Sequence, residues 1–271
     1  MEIQWPLVFF SLLAGAGGGV LAFIGVSEVR GIAEKTRMPA VITALVLLIL
    51  GGCASVLHLG QPSNIMAAAT NIFSFSGISV ELIMLGINVV VCIVYLVVVR
   101  RENPGSAAKI VGVIGLVTGL IMAFVVGNGY VIEAQPNWNN FMLPLSYFGS
   151  GLACGATIFA SLMVARKENE VELKKISIFV IVAIAIQMVA FLGFGAVTGF
   201  AADALVYWVC AILIGSVVAL VCAFYMTKNG SFAYAACVCA LIAGIAFRVV
   251  MWMLGTGYLN LFADAAARIS L

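Results

Sequence analysis

Long apolar runs separated by short polar connections occur eight times along the chain. They cover residues 6–26, 40–57, 79–99, 109–128, 143–165, 176–198, 204–226 and 232–256. A helix needs about 20 mainly apolar residues to cross about 30 Å of hydrocarbon at about 1.5 Å per residue. The pattern therefore predicts an all-α fold, a polytopic integral membrane bundle of eight transmembrane helices, with residues 1–271 as a single domain. Residues 1–5 lack a basic signal-peptide region, so we expect the first run to be retained as a span.

The basic residues are concentrated in alternate connections. Eleven of the 13 Lys and Arg residues lie in the first, third, fifth and seventh connections. Short cytoplasmic loops collect Lys and Arg, which predicts both termini on the non-cytoplasmic side. We interpret these charges as solvated loop residues that set the topology.

Composition excludes several classes of protein. Apolar residues make up 64% of the chain and charged residues 9%, which excludes a water-soluble globule, and a net charge of +2 is too small for nucleic-acid binding. All seven cysteines fall in apolar runs, and we expect buried free thiols rather than metal ligands. A single histidine cannot supply the paired ligands of a membrane cytochrome b, and no thiolate spacing suits an iron–sulfur cluster. We therefore expect no haem, iron–sulfur cluster or other metal in this chain.

Small residues cluster in the first span as Gly15-Ala16-Gly17-Gly18-Gly19, and again in the fifth span around Gly149, Gly151 and Gly155. Small residues let helix backbones approach closely in lipid. We expect these segments to pack tightly against neighbouring helices.

Three ionisable residues are predicted at membrane depth: His58, Glu81 and Arg248. Each costs about 2.5–3.5 kcal/mol to insert and therefore requires a partner or a purpose. The predicted topology places all three towards the non-cytoplasmic side, where an approach of His58 to Glu81 is plausible. Alternative interpretations remain open: an interfacial His58 bonded to backbone, and an Arg248 side chain that snorkels to the interface.

An imidazole and a carboxylate suit one particular chemistry. They can bind the two oxygens of a quinone headgroup and take protons from a quinol, while the apolar bundle accommodates the isoprenoid tail. A secondary transporter is an alternative, although the chain shows no clear internal repeat. A purely structural membrane anchor, in which His58 and Glu81 only hold the loop between them, is another.

The segment Leu57-His58-Leu59-Gly60-Gln61-Pro62, the later Asn71 and the Ser79-x-Glu81 helix start resemble the membrane-anchor subunits of the dimethyl sulfoxide reductase family. Arg248, with Trp252 four residues on, is similar to a Gly-Arg-x-x-Phe-Tyr stretch in that family's last helix. The chain departs from the family at Gly77 and Val80, where the family has Trp and Arg, and at Phe247, where it has Gly. Polysulfide-reductase-type quinol-oxidising anchors are related to this family.

The resemblance implies a haem-free anchor that oxidises menaquinol during anaerobic respiration in the bacterial cytoplasmic (inner) membrane. Electrons would pass to a four-cluster, ferredoxin-like iron–sulfur subunit and then to a molybdopterin catalytic subunit. It implies His58 and Glu81 as the catalytic residues of the quinol site, with Arg248 as a further quinol-binding residue. A quinol site near the outer face favours a partner docked on that face.

Overall fold

The computed structural model describes residues 2–58, 76–199 and 205–255, and these residues form eight helices long and apolar enough to cross a membrane. The helices are α1 (Trp5–Arg30), α2 (Glu34–His58), α3 (Gly77–Val99), α4 (Gly105–Asn128), α5 (Met142–Ala165), α6 (Glu170–Val197), α7 (Tyr207–Tyr225) and α8 (Ser231–Met253). Helix α7 is π-helical over Tyr207–Val218 and α-helical over Ala219–Tyr225.

The number and order of the predicted spans are confirmed for the described part of the chain. The largest differences are at α2 and α6, which begin at Glu34 and Glu170, six residues before the apolar runs do. Both helices start with a polar turn that apolar content cannot detect. At α6 the side chain of Asn169 accepts a hydrogen bond of 2.8 Å from the backbone N–H of Glu172, which caps the first turn.

Helix α1 is the central helix of the bundle, and its glycines determine how closely its neighbours approach. A Cβ atom at Gly18 would lie 2.7 Å from the carbonyl oxygen of Gly119 on α4. A Cβ atom at Gly19 would lie 3.0 Å from the Cα of Gly155 on α5. The predicted tight packing of these glycines is therefore present, with backbone against backbone on two sides of α1.

One end of the bundle, which we call the basic end, carries the first, third, fifth and seventh connections, in and beside which 11 of the 13 Lys and Arg residues lie. Carboxylates tie two of these connections together. The backbone N–H of Ala33 donates to Glu172 Oε2 at 2.7 Å, and both the N–H and the hydroxyl of Thr36 donate to Glu168 Oε1 at 3.0 Å. The opposite end contains the starts of α1, α3 and α5 and the ends of α2, α4 and α8, and it holds the predicted site.

A further buried ionisable group, which the sequence pattern does not single out, lies near the basic end: Glu28 in α1 is only 8% exposed. Its Oε2 lies 3.3 Å from Arg37 Nη1, and its Oε1 accepts a hydrogen bond of 2.6 Å from the Tyr95 hydroxyl. Arg37 is consequently a partly buried ion-pair partner and not a solvated loop residue. Helices α1 and α2 extend beyond their apolar runs, so the two charges meet inside the bundle.

All seven cysteines are free thiols. The expected burial is confirmed for Cys92, Cys154, Cys222 and Cys239, while Cys210 and Cys237 are partly buried. It is wrong for Cys53, which is exposed on the outward face of α2. An apolar run with no polar face gives no indication of which side of a helix faces lipid.

Candidate functional site

His58 is the last residue of α2; its side chain and residues 59–75 lie outside the described part of the chain. The neighbouring backbone still fixes its depth. A Cβ atom at Gly52 of α2 would lie 3.0 Å from Leu85 Cδ2 of α3, so these two residues face each other. His58 lies six residues after Gly52, about 9 Å further along α2. Glu81 lies four residues before Leu85, about 6 Å back along α3. Because the two helices run in opposite directions, both displacements point towards the same end of the bundle. The two predicted residues therefore lie at similar depth.

Glu81 is the fifth residue of α3, just beyond the first turn, which the Ser76 side chain caps by accepting a hydrogen bond from the Ser79 N–H at 3.3 Å. The residue is only 9% exposed. Its carboxyl group lies against the backbone of Gly129, just beyond the end of α4. Within the described ranges the carboxyl group has no hydrogen-bond or ion-pair partner. The site therefore contains a buried acidic group to which the described residues supply neither a hydrogen-bond donor nor a counter-ion.

Arg248 is fully buried in α8, so the snorkelling interpretation was wrong. Its Nε donates to Ser11 Oγ at 2.8 Å and its Nη2 to the Ser11 carbonyl at 3.0 Å. Its Nη1 donates to Ser150 Oγ at 3.1 Å and to the Gly244 carbonyl at 2.9 Å. Every one of these acceptors is neutral, and none of the described carboxylates pairs with the guanidinium. The positive charge is solvated by the bundle but not neutralised by it.

Two tyrosines lie between Arg248 and the Glu81 side of the bundle. The ring of Tyr147 on α5 stacks on Tyr130 with centroids 5.3 Å apart, and the Arg248 guanidinium lies 4.5 Å from the Tyr147 ring centroid. Tyr130 directly follows Gly129, which contacts the Glu81 carboxyl group. Burial raises the pKa of Tyr130 well above its usual value, with the Glu81 charge adding to that shift and the Arg248 charge opposing it. Glu81 and Arg248 thus share one polar region without touching.

The hydroxyl groups of these two tyrosines are poorly hydrogen-bonded. The Tyr130 hydroxyl donates a long hydrogen bond of 3.4 Å to the Leu7 carbonyl. The Tyr147 hydroxyl is buried and has no hydrogen-bond partner among the described residues. Buried polar groups are nearly always paired with protein, water or ligand. The Tyr147 hydroxyl is therefore an exception to that rule within the described part of the chain.

Aromatic rings close the region towards the end of the bundle. Trp138, in the connection between α4 and α5, packs edge-on against Trp252 at 5.1 Å, and its indole N–H donates to the Met251 carbonyl at 2.9 Å. Trp252 also meets the Tyr130 ring edge-on at 6.1 Å. This cover keeps bulk water away from Arg248, which strengthens electrostatic interactions beneath it.

Comparison with known proteins identifies relatives of this protein. The family model described as DMSO reductase anchor subunit (DmsC) matches residues 1–251. A subunit of the anaerobic dimethyl sulfoxide reductase of Haemophilus influenzae is 25% identical over 206 residues, which cover 69% of the present sequence and 67% of that subunit. The anaerobic dimethyl sulfoxide reductase subunit YnfH of Escherichia coli K12 is 28% identical over 168 residues, covering 60% of the present sequence and 59% of that subunit.

Proposed function

Because the chain belongs to the DMSO reductase anchor subunit family, we propose that this multi-pass membrane protein binds and oxidises menaquinol. It passes the electrons to an iron–sulfur partner subunit of a molybdopterin reductase in the bacterial inner membrane. An anchor subunit implies catalytic and electron-transfer partners, which here are a molybdopterin subunit and a four-cluster, ferredoxin-like subunit. The anchor contributes the quinol site and no haem of its own.

The observation that carries this proposal is the buried and unpartnered carboxyl group of Glu81. An acidic group at membrane depth is expensive unless it has a function, and the described residues give it neither an ion pair nor a hydrogen bond. A menaquinol carries two hydroxyl groups, and each must lose its proton on oxidation. A carboxyl group that is free of structural bonds is suited to receive one of them.

The chemistry divides between two residues of this chain. The Glu81 carboxylate accepts the proton of one quinol hydroxyl, and the neutral imidazole of His58 accepts the proton of the other. Two electrons leave the quinol for the iron–sulfur partner, so that quinol becomes quinone with two protons released. The similar depth of the His58 and Glu81 backbone positions supports this division.

Arg248 contributes to the same site from the interior of the bundle. Its positive charge has only neutral acceptors around it, and it lies on the Tyr147 ring. Negative charge that develops on a quinol oxygen during deprotonation is stabilised by such a charge in a region from which water is excluded.

The test compares Glu81→Gln and His58→Ala with Glu34→Gln, which changes an exposed glutamate at the basic end. We expect Glu81→Gln and His58→Ala to assemble with the partner subunits but to lose most menaquinol-dependent reduction. The Glu34→Gln control keeps normal turnover. Unaltered turnover in the first two variants would leave a purely structural anchor as the better interpretation. Purification from native membranes as a lone polypeptide without quinone would favour a transporter.

A further inference from the structure

Gly129 occupies a position where the backbone does not require glycine. Its φ of −62° and ψ of −18° are right-handed helical values that any residue adopts. The reason for a glycine here must therefore lie in space rather than in backbone conformation.

The space that a side chain at residue 129 would fill is already taken by Glu81. A Cβ atom at Gly129 would overlap Oε1 of Glu81 and lie 3.1 Å from its Cδ. These are the far atoms of a flexible side chain, so a methyl group at this position displaces the carboxyl group and leaves the helices in place. The neighbouring Gly127 differs, because a Cβ atom there would lie 2.9 Å from the Cα of Pro144, part of a rigid backbone.

A second close approach supports the same conclusion. A Cβ atom at Gly77, the first residue of α3, would lie 3.2 Å from the Cα of Gly129. Two glycines thus let the start of α3 lie directly on the end of α4. This contact brings the start of α3, and with it Glu81 just beyond the first turn, against Gly129, the residue that precedes Tyr130.

We propose that Gly129 is a positioning residue for quinol oxidation: the missing side chain leaves the room in which the Glu81 carboxyl group is held. The inference rests on the proposed function for its consequence in turnover. The placement of the carboxyl group itself does not depend on that function.

The first experiment compares three glycine-to-alanine variants in the assembled complex. Gly129→Ala should assemble normally, and its turnover with menadiol should fall about 10- to 100-fold, since a displacement of about 1 Å has such an effect on catalysis. Gly86→Ala should match the wild type, because a Cβ atom at Gly86 meets nothing within 4 Å. Gly127→Ala should reduce the yield of folded complex. Wild-type turnover in Gly129→Ala would overturn the proposal.

The second experiment shortens the side chain that Gly129 accommodates. Aspartate has one methylene group fewer than glutamate, so the double variant Glu81→Asp with Gly129→Ala has room for its carboxyl group. Because Glu81→Asp itself moves the carboxyl group, it lowers turnover alone, but we expect the loss in the double variant to be about tenfold smaller than the product of the two single losses, a coupling that distant sites do not show. A loss in the double variant equal to the product of the two single losses would contradict the proposal, because the two positions would then act independently.

A third readout separates this inference from the proposed function. The infrared band of the Glu81 carboxyl group, assigned by its absence in Glu81→Gln, should shift in Gly129→Ala whatever the turnover. An unchanged band would overturn the positioning role. A shifted band together with full turnover in Glu81→Gln would mean that Gly129 does position the carboxyl group, but that this group takes no part in quinol oxidation.

Discussion

The guanidinium group of Arg248 lies over the ring of Tyr147, with Cζ 4.5 Å from the ring centroid, while the hydroxyl of that same ring has no partner among the described residues. The ring and the hydroxyl therefore have separable roles. The ring helps to hold a buried cation, which an aromatic face attracts electrostatically. The hydroxyl, in contrast, makes no hydrogen bond within the described ranges.

Removing the hydroxyl alone should leave the stability of the protein intact. We expect the free energy of unfolding of Tyr147→Phe to lie within about 0.5 kcal/mol of the wild-type value, because no intramolecular hydrogen bond is lost. Tyr147→Leu should be clearly less stable, since it loses the stacked pair with Tyr130 and the contact with Arg248. Thermal unfolding of the purified protein in detergent measures both. A large destabilisation by Tyr147→Phe would show that the hydroxyl has a structural partner.

Arg248 should not tolerate replacement by lysine. Its three nitrogen atoms reach Ser11, Ser150 and Gly244 simultaneously, and an ammonium group cannot span these acceptors. Each hydrogen bond lost from a charged group costs about 1.5–3 kcal/mol. Arg248→Lys should therefore lower both the thermal stability and the amount of folded protein. The matched control is Lys228→Arg at the basic end, which should change neither; equal stability of the two variants would contradict this account.

The contact between α1 and α4 should be equally sensitive to one added methyl group. A Cβ atom at Gly18 would lie 2.7 Å from the Gly119 carbonyl oxygen and 3.1 Å from Met122 Cβ, so the two helices must separate. We expect Gly18→Ala to reduce the yield of folded protein strongly. Gly86→Ala serves as the control because its added methyl group meets nothing. Size-exclusion chromatography of the two variants compares them directly, and similar monodisperse peaks would rule out tight packing as the reason for Gly18.

The sequence predicts the eight spans well because hydrocarbon thickness fixes the length of apolar run that a helix needs. It also points to Glu81 and Arg248, since charged residues are conspicuous in apolar runs. It fails at helix ends, where Glu34 and Glu170 begin helices in polar segments that resemble loops. The same failure conceals the burial of Glu28, which depends on how far α1 extends past its apolar run.

The remaining site residues carry no signal in the sequence. Tyr130 and Tyr147 look like ordinary aromatic residues near a membrane interface, where such residues are common. Gly129 looks like a helix stop, and Ser11 like any small residue in a span. Their importance arises from lateral neighbours on other helices, and periodicity along one helix does not show which helices are adjacent.

The buried cluster at the basic end provides a prediction that is independent of quinol chemistry. The Tyr95 hydroxyl donates to Glu28 Oε1 at 2.6 Å, and Arg37 pairs with the other oxygen at 3.3 Å. Tyr95→Phe leaves a buried carboxylate oxygen without its donor, at a cost of about 1–3 kcal/mol. Thermal unfolding should detect this loss, whereas menadiol oxidation, which we propose to occur at the opposite end, should keep its wild-type rate. Tyr225→Phe, with a half-exposed ring at the surface, should lose no comparable stability. A fall in turnover without a fall in stability would mean that the basic end takes part in catalysis.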